Sequence, residues 1–418
     1  MKSWLMSFCA SLTIGIASTN VHAEATEKAF VDAVKMQAMP LKISSSGLTG
    51  PGASWLVKEA EKSQFVLIGE DHGFADIPQF AMGLQASLAD KRFDHLVLEI
   101  GFYAAQKVEE SLCDSKDGLK KLNNKFPFFS PFVNFTQDGA LAASFASCDR
   151  ADPALWGVDQ EFLLATQMHL DNLYRLASGN DQRKQLSVFR KRADSAWQNM
   201  VAKHNPESIA LTQWTTQDFK DLQDIFNTDN NMEALALINA MAASAEIYHS
   251  QNTAPYKSNR DRSLMMKSYF MRNYLAAQAT ESMPRALFKL GAYHAARGLT
   301  PTQQFDIGNM ASELAESNGG RSLHILVLMQ GGEVNRHFPF SADNKDQHFI
   351  YDAKEELKPL GIDALLAISP AQDASVIDLV SLREAGKPRM PSGSAINKLI
   401  YNYDAVVLVA KGHAATNY

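Results

Sequence analysis

Six stretches of this chain are apolar without alternation: Phe65–Gly69, His95–Ile100, Ala154–Val158, Ala286–Gly291, Leu323–Met329 and Ala405–Ala410. Short continuous runs bounded by polar residues are the pattern of strands buried on both faces. Long stretches of helical periodicity separate them, which predicts an α/β fold with a mainly parallel sheet flanked by helices. Residues 161–282 carry no strand pattern. They read as helices at Glu161–Leu176, Gln182–Lys203, Thr216–Phe226, Asn231–His249 and Arg262–Ala279, an all-helical lobe inserted between the third and fourth strands. Pro51-Gly52 marks a turn before a further helix at Ala53–Lys62. Phe126–Phe135 is the densest aromatic stretch, and its two prolines forbid a regular helix. It is either a loop that plugs the core, or an apolar wall or lid over a substrate, with Phe128 and Phe129 as contacts.

The N-terminus changes the expected compartment. Residues 1–23 read as a secretory signal, with Lys2, an apolar stretch from Trp4 to about Ala17, and Val21-His22-Ala23 as a small-residue cleavage site. The expectation is a periplasmic or secreted protein whose residues 24–418 form a single α/β domain. The apolar stretch is shorter than the roughly 20 residues a membrane span needs, and no later stretch qualifies. Removing residues 1–23 removes Cys9 and leaves Cys113 and Cys148, which form either one disulfide or two buried small apolar side chains. The formal charge of −6 is spread along the chain. No basic block with interleaved aromatics occurs, which argues against a nucleic-acid face. The expected partner is a small-molecule substrate.

Two of the apolar runs end alike, in Gly69-Glu70-Asp71-His72 and Gly291-Ala292-Tyr293-His294. A buried strand followed by Gly and then His delivers an imidazole to the carboxyl edge of a sheet, where open α/β folds build their sites. The repeat places His72 and His294 at two ends of one cleft. Three carboxylates fall at strand ends as well: Glu70, Glu99 and Asp159. A carboxylate beside an imidazole fixes its tautomer and raises its basicity, the ordinary equipment of general-base catalysis. Each residue also has a structural reading. A lone Gly-x-x-His is usually a buried, hydrogen-bonded histidine; Glu70 could sit at a helix N-terminus, and Asp159 could cap the helix starting at Glu161. Other mechanisms lack their residues. There is no Gly-x-Ser-x-Gly elbow, no Gly-rich phosphate loop and no His-Glu-x-x-His.

Taken in order, Gly69-Glu70-Asp71-His72-Gly73, Leu96-Val97-Leu98-Glu99, Trp156-Gly157-Val158-Asp159, Arg260-Asp261-Arg262 and Gly291-Ala292-Tyr293-His294 resemble the markers of the erythromycin esterase-like group. That group looks related to the ChaN-type haem-binding proteins and the TraB/Tiki proteins. The resemblance runs from about Phe65 to the C-terminus. It implies a hydrolase in which His72 is the general base, Glu99 a partner carboxylate, His294 the group that polarises the carbonyl, and Arg260 or Arg262 a source of positive charge. Glu70 matches the carboxylate of the first motif. Its spacing from His72 is the tighter one of the ChaN-type proteins. Asp159, Tyr293, Phe128 and Phe129 are the candidate substrate contacts. The Tiki branch implies one divalent metal ion, with His72, Glu99 and His294 as ligands, whereas metal-free catalysis is the esterase expectation. The ChaN branch implies a haem carrier, with Tyr103, Tyr293 and the Phe126–Phe135 aromatics as contacts and His72 or Tyr293 as iron ligands.

Overall fold

A computed structural model describes residues 28–418 apart from 151, 228–230, 337–346, 369, 371–372, 385–386 and 388–392. The signal-like stretch lies outside the described residues. Eight strands form one sheet: β1 (Ala38–Leu41), β2 (Phe65–Glu70), β3 (His95–Gly101), β4 (Leu155–Asp159), β5 (Ala286–Gly291), β6 (Ser322–Met329), β9 (Ala374–Asp378) and β10 (Ala405–Val409). Their order across the sheet is β1-β9-β10-β6-β2-β5-β3-β4. Every pair from β10 to β4 is parallel, and β9 runs antiparallel to both β10 and β1. The six parallel strands are the six continuous apolar runs. Strands β2 to β6 and β10 are buried along their whole length, as two-sided cover by helices requires. A two-stranded ribbon, β7 (Gly331–Asn335) with β8 (His348–Asp352), follows β6.

Between β4 and β5 the described residues form helices at Thr166–Leu176, Asn180–Lys203, Ala210–Gln213, Thr216–Asn227, Met232–Ser250 and Pro255–Ala277. The first starts later than the sequence predicts. Glu161 is drawn out of it by a hydrogen bond from its N–H to Ser244 Oγ and one from Tyr103 N–H to its carboxylate. The last starts earlier, at Pro255, because a proline in the first turn costs no intrahelical hydrogen bond. The helices up to Ser250 share an apolar core of their own, centred on Leu173, Leu186, Trp214, Phe226 and Met241.

The Pro255–Ala277 helix packs instead on the sheet. Its Met266, Phe270 and Tyr274, spaced four residues apart, join the main core. Phe270 and Tyr274 meet Phe65 edge-on, at centroid distances of 5.6 and 5.9 Å. Such contacts add about 0.5–1.5 kcal/mol each beyond the area they bury. One turn before Met266, the same face carries Arg262 over the carboxyl ends of β3 and β4. Cys113 and Cys148 are joined in a disulfide.

Candidate active site

Strand alternation sorts the polar residues of this edge onto two faces of the sheet. Register pairs Ile68 with Lys289 and Glu70 with Gly291, so Glu70 and Lys289 lie on one face with Val66 and Leu287. His95 and Val97, paired with Ala286 and Phe288, lie on the other, together with Glu99. His72, just past the end of β2, stands between them and touches both.

On the first face, His72 Nδ1 lies 2.7 Å from Glu70 Oε1, so with Glu70 ionised the ring carries its proton on Nδ1. Burial alone would raise Glu70 and lower His72. The Lys289 and His72 charges outweigh it at Glu70, which is held below the usual carboxylate value. At His72 the Glu70 hydrogen bond and the Glu70 and Glu99 charges outweigh it, and the imidazole is held above its ordinary value. The far nitrogen, Nε2, stands 3.9 Å from Glu99 Oε2, beyond hydrogen-bond reach. The His72 side chain keeps 31% of its surface exposed.

His294 has the same construction on its own strand. Its Nδ1 lies 2.7 Å from Asp306 Oδ2, and its Nε2 faces Glu99 Oε1 at 3.5 Å. Burial opposes the proton on His294, but the Glu99 charge and the Asp306 hydrogen bond hold it above the ordinary value. The two motif histidines thus flank a single carboxylate from adjacent strands, closer than two ends of a cleft.

Glu99 is fixed by its neighbours. Gly291 N–H donates to its Oε2 at 2.6 Å and Arg262 Nη2 to its Oε1 at 2.8 Å, and Arg262 also grips Asp159 through Nε (2.8 Å) and Nη2 (2.6 Å). Burial would raise Glu99; the charges of His294, His72 and Arg262 bring it down to about 2. The close approach needs glycine at 291. A Cβ there would lie 3.0 Å from His72 Nε2 and 3.2 Å from Glu99 Oε2.

The turn that carries His72 is gripped from outside the sheet. Asn335 N–H and Ala415 N–H both donate to Gly73 O, His413 O accepts from Ala75 N–H, and Arg336 pairs with Asp71. Gly73 has φ 100°, and a Cβ there would clash with Asn335 O, so the turn needs glycine.

The aromatic run divides between the core and the histidine. Phe126, Phe129 and Phe135 are buried plugs, and Phe132 stacks on His72 at 4.2 Å between centroids. Of the predicted residues, Glu70, His72, Glu99, Asp159, Arg262 and His294 come together. Arg260 does not. Half-exposed, it points away to Asp261, because Arg262 and not Arg260 shares the face of Met266 and Phe270. Phe129 is fully buried in the core, and Phe128 packs on Leu164, Met200 and Ile209 at the base of the lobe. Tyr103 is buried in the lobe's core, while Tyr293 is 39% exposed beside His294. Asp159 meets Arg262 instead of capping a helix.

Three residues of the site escaped the sequence reading, Lys289, Asp138 and Asp306, and Phe132 entered it only as part of the Phe126–Phe135 run. Lys289 had a signal, as the lone charge in an otherwise apolar strand. Asp306 accepts from Ile307 N–H as the N-cap of the Ile307–Ser317 helix and reads only as that.

His72, Glu99 and His294 do not gather their ligand atoms into a ready-made divalent-ion site. Both oxygens of Glu99 already accept hydrogen bonds, and Arg262 supplies the positive charge. Among the described residues, the group whose ligand atoms gather within 4.8 Å of one another is His95, Asp152 and Glu281 at the opposite edge of the sheet. Arg150 Nη2 already bonds both of those carboxylates.

No protein-family model matches the chain, and no curated protein matches it by sequence. Solved structures do match. A protein from Bacillus cereus shares 14% identity over 94% of this chain and 99% of its own, with a TM-score of 0.54. A succinoglycan biosynthesis protein shares 13% identity over 93% and 98%, with a TM-score of 0.53. A histidine-to-asparagine variant of the erythromycin esterase EreC, in its open conformation, shares 16% identity over 87% and 94%, with a TM-score of 0.55. Each likeness spans most of both chains, and together they show that this protein has the erythromycin esterase fold.

Proposed function

We propose that this protein is an exported hydrolase in which His72 activates water to cleave an ester or amide. One observation carries the reading: His72 and His294 each spend Nδ1 on a carboxylate and turn Nε2 toward the same anion, Glu99. A histidine with Nδ1–H held by Glu70 has a lone pair on Nε2, the group a general base needs. His72 Nε2 takes a proton from water as the water oxygen bonds the carbonyl carbon. The carbonyl oxygen becomes an oxyanion, met by His294 held protonated between Asp306 and Glu99. The C–O or C–N bond then breaks, and the proton on His72 passes to the leaving group, so no covalent intermediate forms on the protein.

Likeness to EreC, an erythromycin esterase, supports ester cleavage, and Phe132 beside His72 supports an apolar portion in the substrate. Export rests on the signal-like residues 1–23 and on the Cys113–Cys148 disulfide, which suits an oxidising compartment. No described helix is long and apolar enough to cross a membrane.

A panel of aryl and lactone esters and anilides, assayed with the wild type and with His72→Ala and His294→Ala, tests this reading. Turnover by the wild type and its loss in both folded variants is the expected result. Full activity in either variant overturns it.

A further inference from the structure

Behind Glu70 lies a buried chain of charge that the reaction itself does not use. Lys289 Nζ stands 2.6 Å from Glu70 Oε1, the same oxygen that accepts from His72 Nδ1, and 2.7 Å from Asp138 Oδ1. All three side chains are at least 95% buried. Asp138 comes from the Thr136–Phe145 helix, which covers this face of the sheet with Leu141, Ala142 and Phe145. A lysine in the middle of a fully buried strand is expensive, since its charge loses water on every side. Two carboxylates offset that cost here, where one would make a neutral pair. The second leaves the chain with one net negative charge, directed at His72.

We propose that Lys289 and Asp138 are positioning residues that set, through Glu70, how tightly His72 holds its proton. The two act in opposite senses. Lys289 competes with His72 for Glu70 Oε1 and repels a protonated ring, so it loosens the proton. Asp138 draws Lys289 away from Glu70 and adds negative charge, so it tightens it. Lys289 opposes and Glu70 favours the protonated form of His72, and burial beside Glu70 pushes Asp138 up to about 6 despite Lys289. The other charged or titratable groups around this chain are Glu99 at His72, His294 and Arg262 at Glu99, the Asp71–Arg336 pair on the same turn, and Tyr418 beside Asp138. None of them lies between Lys289 and Glu70.

The inference rests on His72 as the base, but its test does not need turnover. The full chain, labelled with 15N-histidine, is titrated by NMR, with the His72 ring signals assigned against His72→Gln. Relative to the wild type, Asp138→Asn is expected to shift the His72 midpoint to lower pH and Lys289→Met to higher pH. The double variant is expected to lie between them. Opposite signs exclude simple loosening of the fold, which moves both variants toward the free-histidine value. If Lys289→Met does not fold, Lys289→Gln is read in its place, and Asp138→Asn alone still fixes one sign. Shifts in the same direction, or an unmoved midpoint in Asp138→Asn, overturn the inference. An unmoved ester rate in His72→Ala would instead overturn the base assignment and leave this result standing.

Discussion

Strand β3 begins at His95 and reaches Glu99 near its other end, and both ends carry a histidine, carboxylates and one arginine. At the amino end both histidine nitrogens are committed. His95 stacks on Trp156 at 4.3 Å, its Nδ1 meets Pro153 O and its Nε2 meets Glu281, while Arg150 binds Asp152 and Glu281. The His95 side chain has no exposed surface, and burial holds it below the ordinary histidine value. At the carboxyl end His294 lies between Asp306 and Glu99, but His72 is hydrogen-bonded on one side only and reaches solvent. The same residue types therefore make a closed structural knot at one end and a site at the other. What separates them is the uncommitted Nε2.

The comparison breaks most sharply at the two arginines. Arg262→Ala leaves Glu99 and Asp159 buried without their cation and is expected to cost about 3–5 kcal/mol along with turnover. Arg150→Ala, on a knot whose Glu281 is 23% exposed against 6% for Glu99, is expected to cost less and to leave turnover intact. Denaturant midpoints and ester rates on the same samples check both.

Acid should separate the ends next. Glu99 is depressed from 4.5 to about 2, so the stability it contributes is present above its unfolded value and is lost as pH falls toward 2. That contribution is on the order of 3 kcal/mol. His72 and His294 are raised, so theirs is present below the unfolded value and fades as pH rises through their folded values. Glu99→Gln should flatten the acid limb of a stability–pH curve, which urea melts at stepped pH would show.

Smaller effects sharpen the geometry. Gly291→Ala crowds His72 and Glu99 by a few tenths of an ångström and is expected to lower kcat roughly tenfold with the melting point nearly unchanged. Asn335→Ala removes the bond from Asn335 Nδ2 to Ala415 O, part of the grip on the His72 turn. A loss of about 1 kcal/mol and a few-fold lower kcat are expected, read by melting and steady-state rates.

Much of the frame was legible because periodicity is a local signal. The six parallel strands announce themselves as continuous apolar runs. Strands β1 and β9 do not, since Ala38–Leu41 is a short edge strand with a proline and Ala374–Asp378 opens with two small residues. The site followed the same rule. His72, Glu99 and His294 sit at strand ends that the sequence marks. Asp138 and Asp306 reach it from helices whose docking depends on contacts over 150 residues and 12 residues away respectively. Arg260 and Arg262 differ only in helical phase, which the helix boundary fixes and the sequence placed seven residues late.

The most direct test applies one chemical change at both ends of the site's sheet edge and at its opposite: His72→Asn and His95→Asn, each measured for kcat on one ester and for melting temperature. The account predicts that His72→Asn abolishes turnover with its melting temperature preserved, and that His95→Asn melts earlier while the folded protein keeps its kcat. Retained turnover in His72→Asn, or its loss in a fully folded His95→Asn, would contradict it.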